Sequence, residues 1–170
     1  RGLADVYKRQ PWVHLIELPE NFGFCKAVNE GIRASRSPYV LLLNNDIEVT
    51  ENFIEEMLSA IKRHPKAFSC AARMIQFHDR DRLDDAGNYY CALGWAYARG
   101  KGKNIHTYEK EEKIFASCAG AAIYRKKIFD ELGYFDEEHF AYLEDMDVGY
   151  RARIYGYETV SYTHLRAHET

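Results

Sequence analysis

Two clusters in this sequence carry residue types that catalysis uses. The first is Asn44-Asn45-Asp46, which follows the apolar run Tyr39-Val-Leu-Leu-Leu43 without a break. Hard oxygen donors delivered at a strand's end suit a divalent cation such as Mg2+ or Mn2+, held together with substrate phosphates. The second is Glu144-Asp145-Met146-Asp147, with three carboxylates in four residues at a predicted helix start. Each has a plainer reading. Asn-Asn-Asp after a strand is ordinary turn chemistry, and acidic residues at a helix N-terminus are favoured by the helix dipole alone. His164 and His168 form an H-x-x-x-H pair that would place two metal ligands on one helical face. A metal site needs a third ligand and supporting partners, and a solvated polar tail is the competing reading.

The elements that position these clusters alternate along the chain. Val13–Leu18 has the composition of a short strand. Phe24, Ala27, Val28, Gly31 and Ile32 recur at helical spacing across Gly23–Ser35, before the break at Pro38. Tyr39–Leu43 is continuously apolar, as for a strand buried on both faces of a parallel sheet. Glu51–His64 reads as a helix capped by Thr50 and stopped by Pro65. Phe68–Phe77 returns as a strand. Residues 78–113 lose the rhythm, and so long an irregular stretch inside a domain is functional or mobile. Ile114–Tyr124 is small and apolar, Arg125–Leu132 helical up to Gly133, and Glu144–Tyr155 a last helix ending at Gly156. Strands alternating with helices imply an α/β sheet with ligands at the carboxyl ends of its strands.

The chain has 170 residues, 46% of them hydrophobic, and a net charge of −3. That is one domain's worth of core, too apolar for disorder and too acidic for a protein that binds nucleic acid through phosphate neutralisation. The apolar stretch Phe115–Tyr124 is far short of the roughly 20 residues a membrane helix needs. Cys25, Cys70, Cys91 and Cys118 are widely spaced and read as free thiols of a reducing compartment. The expected location is cytoplasmic, with the inner face of the membrane as the alternative. Residues 1–10 and 161–170 carry no pattern that continues the middle. Both read as non-native ends outside the packed core, which leaves 11–160 as a partial domain.

Five segments in order carry a family likeness: Asn21-Phe-Gly23 through Lys26, Asn29 and Gly31; Leu-Leu-Asn44-Asn45-Asp46; Cys118-Ala-Gly120; Gly133-Tyr-Phe-Asp136; and Glu144-Asp145-Met-Asp147 with Arg151. Together they resemble the family-2 glycosyltransferases, inverting enzymes of GT-A fold, in their rhamnosyltransferase-like branch. The resemblance implies an α/β fold with a GT-A (Rossmann-like) mixed sheet flanked by helices, truncated at its N-terminus. It implies transfer of a sugar from a nucleotide-sugar donor to a glycan or lipid-linked acceptor, as in cell-wall or polysaccharide biosynthesis.

Residue by residue, Asp46 corresponds to the metal-binding carboxylate for Mg2+ or Mn2+. Asn44 stands at the first position of that motif, which weakens the hold. Asp145 corresponds to the catalytic base, with Glu144 orienting the acceptor or supporting the base. Asn21, Lys26, Asn29, Asn44, Asn45, Gly120 and Arg151 fall on the donor side, although an internal ion pair of Arg151 with Glu144, Asp147 or Asp136 fits equally well. Gly23 and Gly31 are expected to serve backbone geometry and helix packing, and Asp136 and Asp147 the structure. Trp95 and Tyr97 are expected either to line an acceptor groove or to fill the core. The family's nucleoside-binding opening has no counterpart before Val13, so the chain by itself is expected to be inactive. A nucleotidyltransferase and a non-catalytic nucleotide- or carbohydrate-binding domain are the alternatives.

Overall fold

The computed structural model describes residues 10–169, with side chains through Tyr162. A seven-stranded sheet forms the centre. Its main path runs β1 (Tyr39–Leu43), β8 (Ala121–Arg125), β3 (Ala67–Gln76), β9 (Glu158–Glu169) and β2 (Ile47–Val49). Two short strands attach off this path, β4 (Leu83–Asp85) to β3 and β7 (Glu112–Ile114) to β9. A separate hairpin pairs β5 (Asn88–Tyr90) with β6 (Ala96–Ala98). Only β3 and β9 are parallel among these pairs, so the sheet is mixed.

The alternation of β8 explains the layers. Ala121 and Ile123 face a cluster with Phe53, Met57 and Ile61 of α2 (Phe53–Arg63). Ala122 and Tyr124 face the opposite cluster. That cluster is built by Cys25 and Ile32 of α1 (Gly23–Ala34), Phe129 of α3 (Lys126–Leu132) and Val148 of α4 (Glu144–Ile154). Successive strand residues point to opposite faces, so one small strand serves both cores. Arg125 ties the layers: its guanidinium donates to the carbonyls of Ala67, Ile61 and His64 and to the Tyr39 hydroxyl. A third cluster, Ile75, Leu83, Ala86 and Ile105, lies under the 78–113 region.

Four expectations need correction. Val13–Leu18 is not a strand: it joins neither described sheet, and Leu15 and Ile16 lie exposed. β1 is not part of a parallel sheet: it ends the main strand path, antiparallel to β8. Tyr39 and Leu41 pack on one core cluster and Val40 and Leu42 on the other, but Leu43 at its end is 42% exposed. Thr50 does not cap α2 through its side chain. Its carbonyl accepts from the Phe53 N–H at 3.3 Å, and Asn52 turns the chain in the left-handed region at φ 60°. The polar stretch after Val160 is not a tail outside the core. β9 continues through Glu169 between β3 and β2, Ser161 and Tyr162 are buried, and the Tyr162 hydroxyl donates to Glu56 at 2.5 Å. His164 and His168 therefore sit on a strand, where four-residue spacing makes no helical face; their side chains lie outside the described ones. Residues 1–9 are likewise outside the described residues.

Candidate active site

The sheet brings Asn44 and Gly120 together. Because β1 and β8 run antiparallel with Leu43 opposite Ala121, the end of one strand meets the start of the other. The Asn44 N–H donates to the Gly120 carbonyl at 2.9 Å, and a Cβ on Gly120 would stand 3.4 Å from the Asn44 amide nitrogen. Asn45 and Asp46 are exposed on the turn from β1 to β2. This rim presents one carboxylate and amide oxygens around a small residue.

The second cluster heads α4. The approach to it is a tight reversal, with Phe140, Tyr142 and Leu143 at φ 56°, 72° and 66°. Bulky residues in this region are strained, and the reversal delivers Glu144 and Asp145 straight into the first helical turn. Asn21 and Gly23 brace it from the other side. The Asn21 Oδ1 accepts from the Gly23 N–H at 3.0 Å, and a Cβ at Gly23 (φ +86°) would meet the Phe140 carbonyl oxygen at 2.5 Å.

The Asp145 carboxyl is pushed up to about 7 by burial first, then by the Glu144 and Asp85 charges. Hydrogen bonds from Met146 N–H (2.7 Å) to Oδ1 and from the Asn88 amide (3.0 Å) to Oδ2 hold its two oxygens. Glu144 is 8% exposed, and its Oε2 has no hydrogen-bond partner among the described residues. The buried Tyr124 hydroxyl is equally unpartnered, and burial, with Asp145, Cys118 and Glu144 after it, lifts its pKa well above the ordinary tyrosine value. Asp85, also buried, is pushed up to about 6 by desolvation, which the Gly87 N–H bond partly offsets.

One segment links the rim to the acids. Asn88 pairs with Ala116, and Gly120 pairs with Asn44. Four residue steps separate Ala116 from Gly120, so those two anchor points stand no more than about 15 Å apart. Beside the acids opens a groove of about 700 Å³ lined by Tyr90, Trp95, Phe115, Leu143, Met146 and Tyr150 among others. Phe115 stacks on Tyr90 at 5.5 Å and on Tyr150 at 6.1 Å. Trp95 is 70% exposed at this groove, while Tyr97 stacks on Tyr89 at 5.9 Å. Neither fills the core.

The sequence profile of Glycosyl transferase family 2 matches residues 2–133, well over half the chain. The chain belongs to glycosyl transferase family 2. It is 25% identical over 191 residues to the N-acetylglucosaminyl-diphospho-decaprenol L-rhamnosyltransferase of Mycobacterium tuberculosis, covering 96% of this chain and 62% of the relative. It is 26% identical over 149 residues to a low-salt glycan biosynthesis hexosyltransferase of Haloferax volcanii, covering 83% of this chain and 46% of the relative. The family-2 chain thus spans less than two thirds of the curated relatives it matches. Its fold is similar to the crystal structure of GalNAc-T7 with UDP, GalNAc and Mn2+, at a TM-score of 0.70 and 13% identity, covering 89% of this chain and 31% of that one. The S. aureus TarS 1–349 structure matches at a TM-score of 0.62 and 16% identity over 98% of this chain and 46% of its own. The mixed sheet with helices on both faces is the GT-A arrangement.

Several residues placed on the donor side of this family-2 chain are engaged elsewhere. Lys26 pairs with Glu30 at 3.0 Å and Glu137 at 3.4 Å. Asn29 is buried, its amide donating to the Phe135 carbonyl (2.9 Å) and Glu137 (3.1 Å) while its oxygen accepts from the Phe135 N–H (3.1 Å). Arg151 binds Asp147 and donates to the carbonyls of Leu132 and Tyr134, which is the internal ion pair. Asn21 serves the turn at Gly23. These four staple the loops that carry α4, whereas Asn44, Asn45, Asp46 and Gly120 form the rim. Gly31 has open space at its Cβ position, so packing does not require it.

Asp85 and Asn88 escaped the sequence reading, although Asp85-Ala86-Gly87-Asn88 carries a turn signal of its own. Among the described residues no three His, Cys, Asp or Glu side chains gather as a metal cluster. One carboxylate with amide oxygens still fits a cation of the Mg2+ type, which completes its shell from water and substrate phosphate. No helix among the described residues is long and apolar enough to cross a membrane.

Proposed function

We propose that this family-2 chain carries the catalytic part of an inverting glycosyltransferase, moving a sugar from a nucleotide-sugar donor to a hydroxyl of a glycan or lipid-linked acceptor. The observation that carries the reading is the Asp145 carboxyl, buried beside the groove and raised to about 7. A base works best when its pKa lies near the operating pH, and here burial and the Glu144 charge tune it. Asp145 takes the proton of the acceptor hydroxyl as that oxygen attacks the anomeric carbon, and a single displacement inverts the configuration. Glu144 supports the base and orients the acceptor. Asp46, with Asn44 and Asn45, would hold Mg2+ or Mn2+ at the donor diphosphate, and Gly120 leaves room for the sugar to approach. The cation, when bound, supplies Lewis-acid neutralisation of the departing diphosphate. Names of relatives that act on lipid-linked or glycan acceptors support the acceptor class.

The test, made in an enzyme restored to the length of the relatives, compares donor affinity by calorimetry with kcat for three variants. Asp145→Asn should lower kcat by roughly 10²–10⁴ with donor affinity nearly unchanged. Asp46→Ala should weaken donor binding, and Glu144→Gln should be milder than Asp145→Asn. In the parent, kcat should rise as pH passes through about 7, where Asp145 loses its proton. Parental turnover by Asp145→Asn would sink the assignment.

A further inference from the structure

We propose that Asn88 is a positioning residue for Asp145, holding the carboxylate of the base in one orientation through a side-chain hydrogen bond from the neighbouring hairpin. The inference rests on the reading of Asp145 as the base, and its geometry stands independently. The Asn88 Nδ2 donates to Asp145 Oδ2 at 3.0 Å across 57 residues of sequence. A carboxylate side chain has two rotatable bonds, and the Met146 N–H on Oδ1 leaves the other oxygen to be fixed by something else. Asn88 is itself immobilised from both sides. Its N–H donates to the Ala116 carbonyl at 2.9 Å, and its carbonyl accepts from Phe115 at 3.0 Å and Ala116 at 3.2 Å. Phe115 belongs to the aromatic groove, so one residue couples the groove wall to the base.

The turn before Asn88 is built to aim it. Asp85 is buried and its carboxylate accepts from the Gly87 N–H, closing a side-chain turn. Gly87 has φ +112°, and a Cβ there would stand 2.6 Å from Ile114, so the hairpin enters β5 along a path open to glycine alone. Asp85 is thereby a positioning residue at one further remove. The acidic and ionisable groups that face Asp145 are Glu144 on its own helix, Asp85 from β4 and Tyr124 from β8. The Lys101 and Arg99 charges act on Asp85 in the opposite sense, lowering its pKa. Among the described residues, Asn88 is the side chain seen donating a hydrogen bond to the Asp145 carboxylate.

The experiment is a pH titration of Asp145 by carboxyl ¹³C NMR in the 170-residue chain, with melting temperature recorded alongside. Asn88→Ala removes the donor and should raise the Asp145 pKa by about one pH unit. Asn88→Asp keeps the shape but replaces the donor with a second carboxylate, and should raise it further. A purely structural role predicts the opposite ranking, since the isosteric variant disturbs packing less. If Asn88→Ala unfolds the chain, Asn88→Asp carries the measurement. An Asp145 pKa that stays within about 0.2 unit of the parent in the folded variants overturns the proposal. A shifted Asp145 pKa together with parental turnover by Asp145→Asn, measured in an enzyme restored to the length of the relatives, would sink the proposed function and leave the Asn88 contact standing. Where transfer is measurable, the acid limb of kcat should move to higher pH by the same amount.

Discussion

Replacing Asp145 with asparagine is expected to stabilise the fold, and to do so more strongly at high pH. Burial, reinforced by Glu144 and Asp85, lifts this carboxyl from 3.8 to about 7. The folded chain holds the proton more tightly than the unfolded chain, so the stability this site contributes is fully present below 3.8. It is lost as pH rises through about 7. Near pH 4 the folded site is protonated and the loss is under about 1 kcal/mol. At pH 8 both states are ionised and, at about 1.36 kcal/mol per pH unit, the loss approaches roughly 4 kcal/mol. Asparagine keeps the shape and does not ionise. The stability gap between variant and parent should therefore widen by roughly 3 kcal/mol from pH 4 to pH 8, or about 6–12 °C in Tm for a chain of this size. Paired urea titrations or melts at half-unit pH steps measure the gap directly. A gap that stays constant across this range would refute the burial argument, because Asp145 would then titrate alike in both states.

Three further outcomes follow from the packing. Ending the chain at Val160 removes buried Ser161 and Tyr162 and most of the β3–β9 pairing, and should cost more than roughly 3 kcal/mol by denaturant titration; an unchanged midpoint would restore the reading of a dispensable tail. Asn29→Leu leaves the Phe135 N–H and carbonyl unpaired, and should cost about 2–4 kcal/mol while nucleotide-sugar affinity by calorimetry stays put. Lost affinity without lost stability would return Asn29 to the donor side. In an enzyme restored to the length of the relatives, Trp95→Ala should raise the acceptor KM several-fold where Tyr97→Ala does not, because of the two only Trp95 lines the groove; equal effects would detach the groove from the acceptor.

Helices were legible where their signals are local. Phe24, Val28 and Ile32 repeat at helical spacing in α1, and Gly133 and Gly156, both with positive φ, follow the C-terminal ends of α3 and α4. Strand order was not, because it depends on pairings far apart in sequence. The run Tyr39–Leu43 reads the same whether its neighbours lie on one side or two, and the structure leaves one side uncovered by any described strand. The polar residues after Val160 misled for a related reason. β9 pairs through its backbone on both edges, so polar side chains do not bar it from the sheet.

The site divides along the same line. Asn44, Asp46, Glu144 and Asp145 announce themselves because each sits in a short motif at an element's end. What Asp145 does there is set by groups the motif does not contain. A carboxyl at a helix N-terminus is ordinarily acidic, since the helix dipole favours its charge. Here burial, Glu144 and Asp85 outweigh that preference and lift it to about 7. Asn88 and Asp85 reach it from a hairpin inside the irregular stretch, with Gly87 as the hinge of that approach. The long irregular segment is therefore where the Asp145 carboxylate acquires much of its surroundings. Lys26, Asn29 and Arg151, which share the family's motifs, instead bond the loops that fix the direction in which α4 starts. A motif residue here can act on Asp145 through the angle of a helix, by bonds internal to the fold.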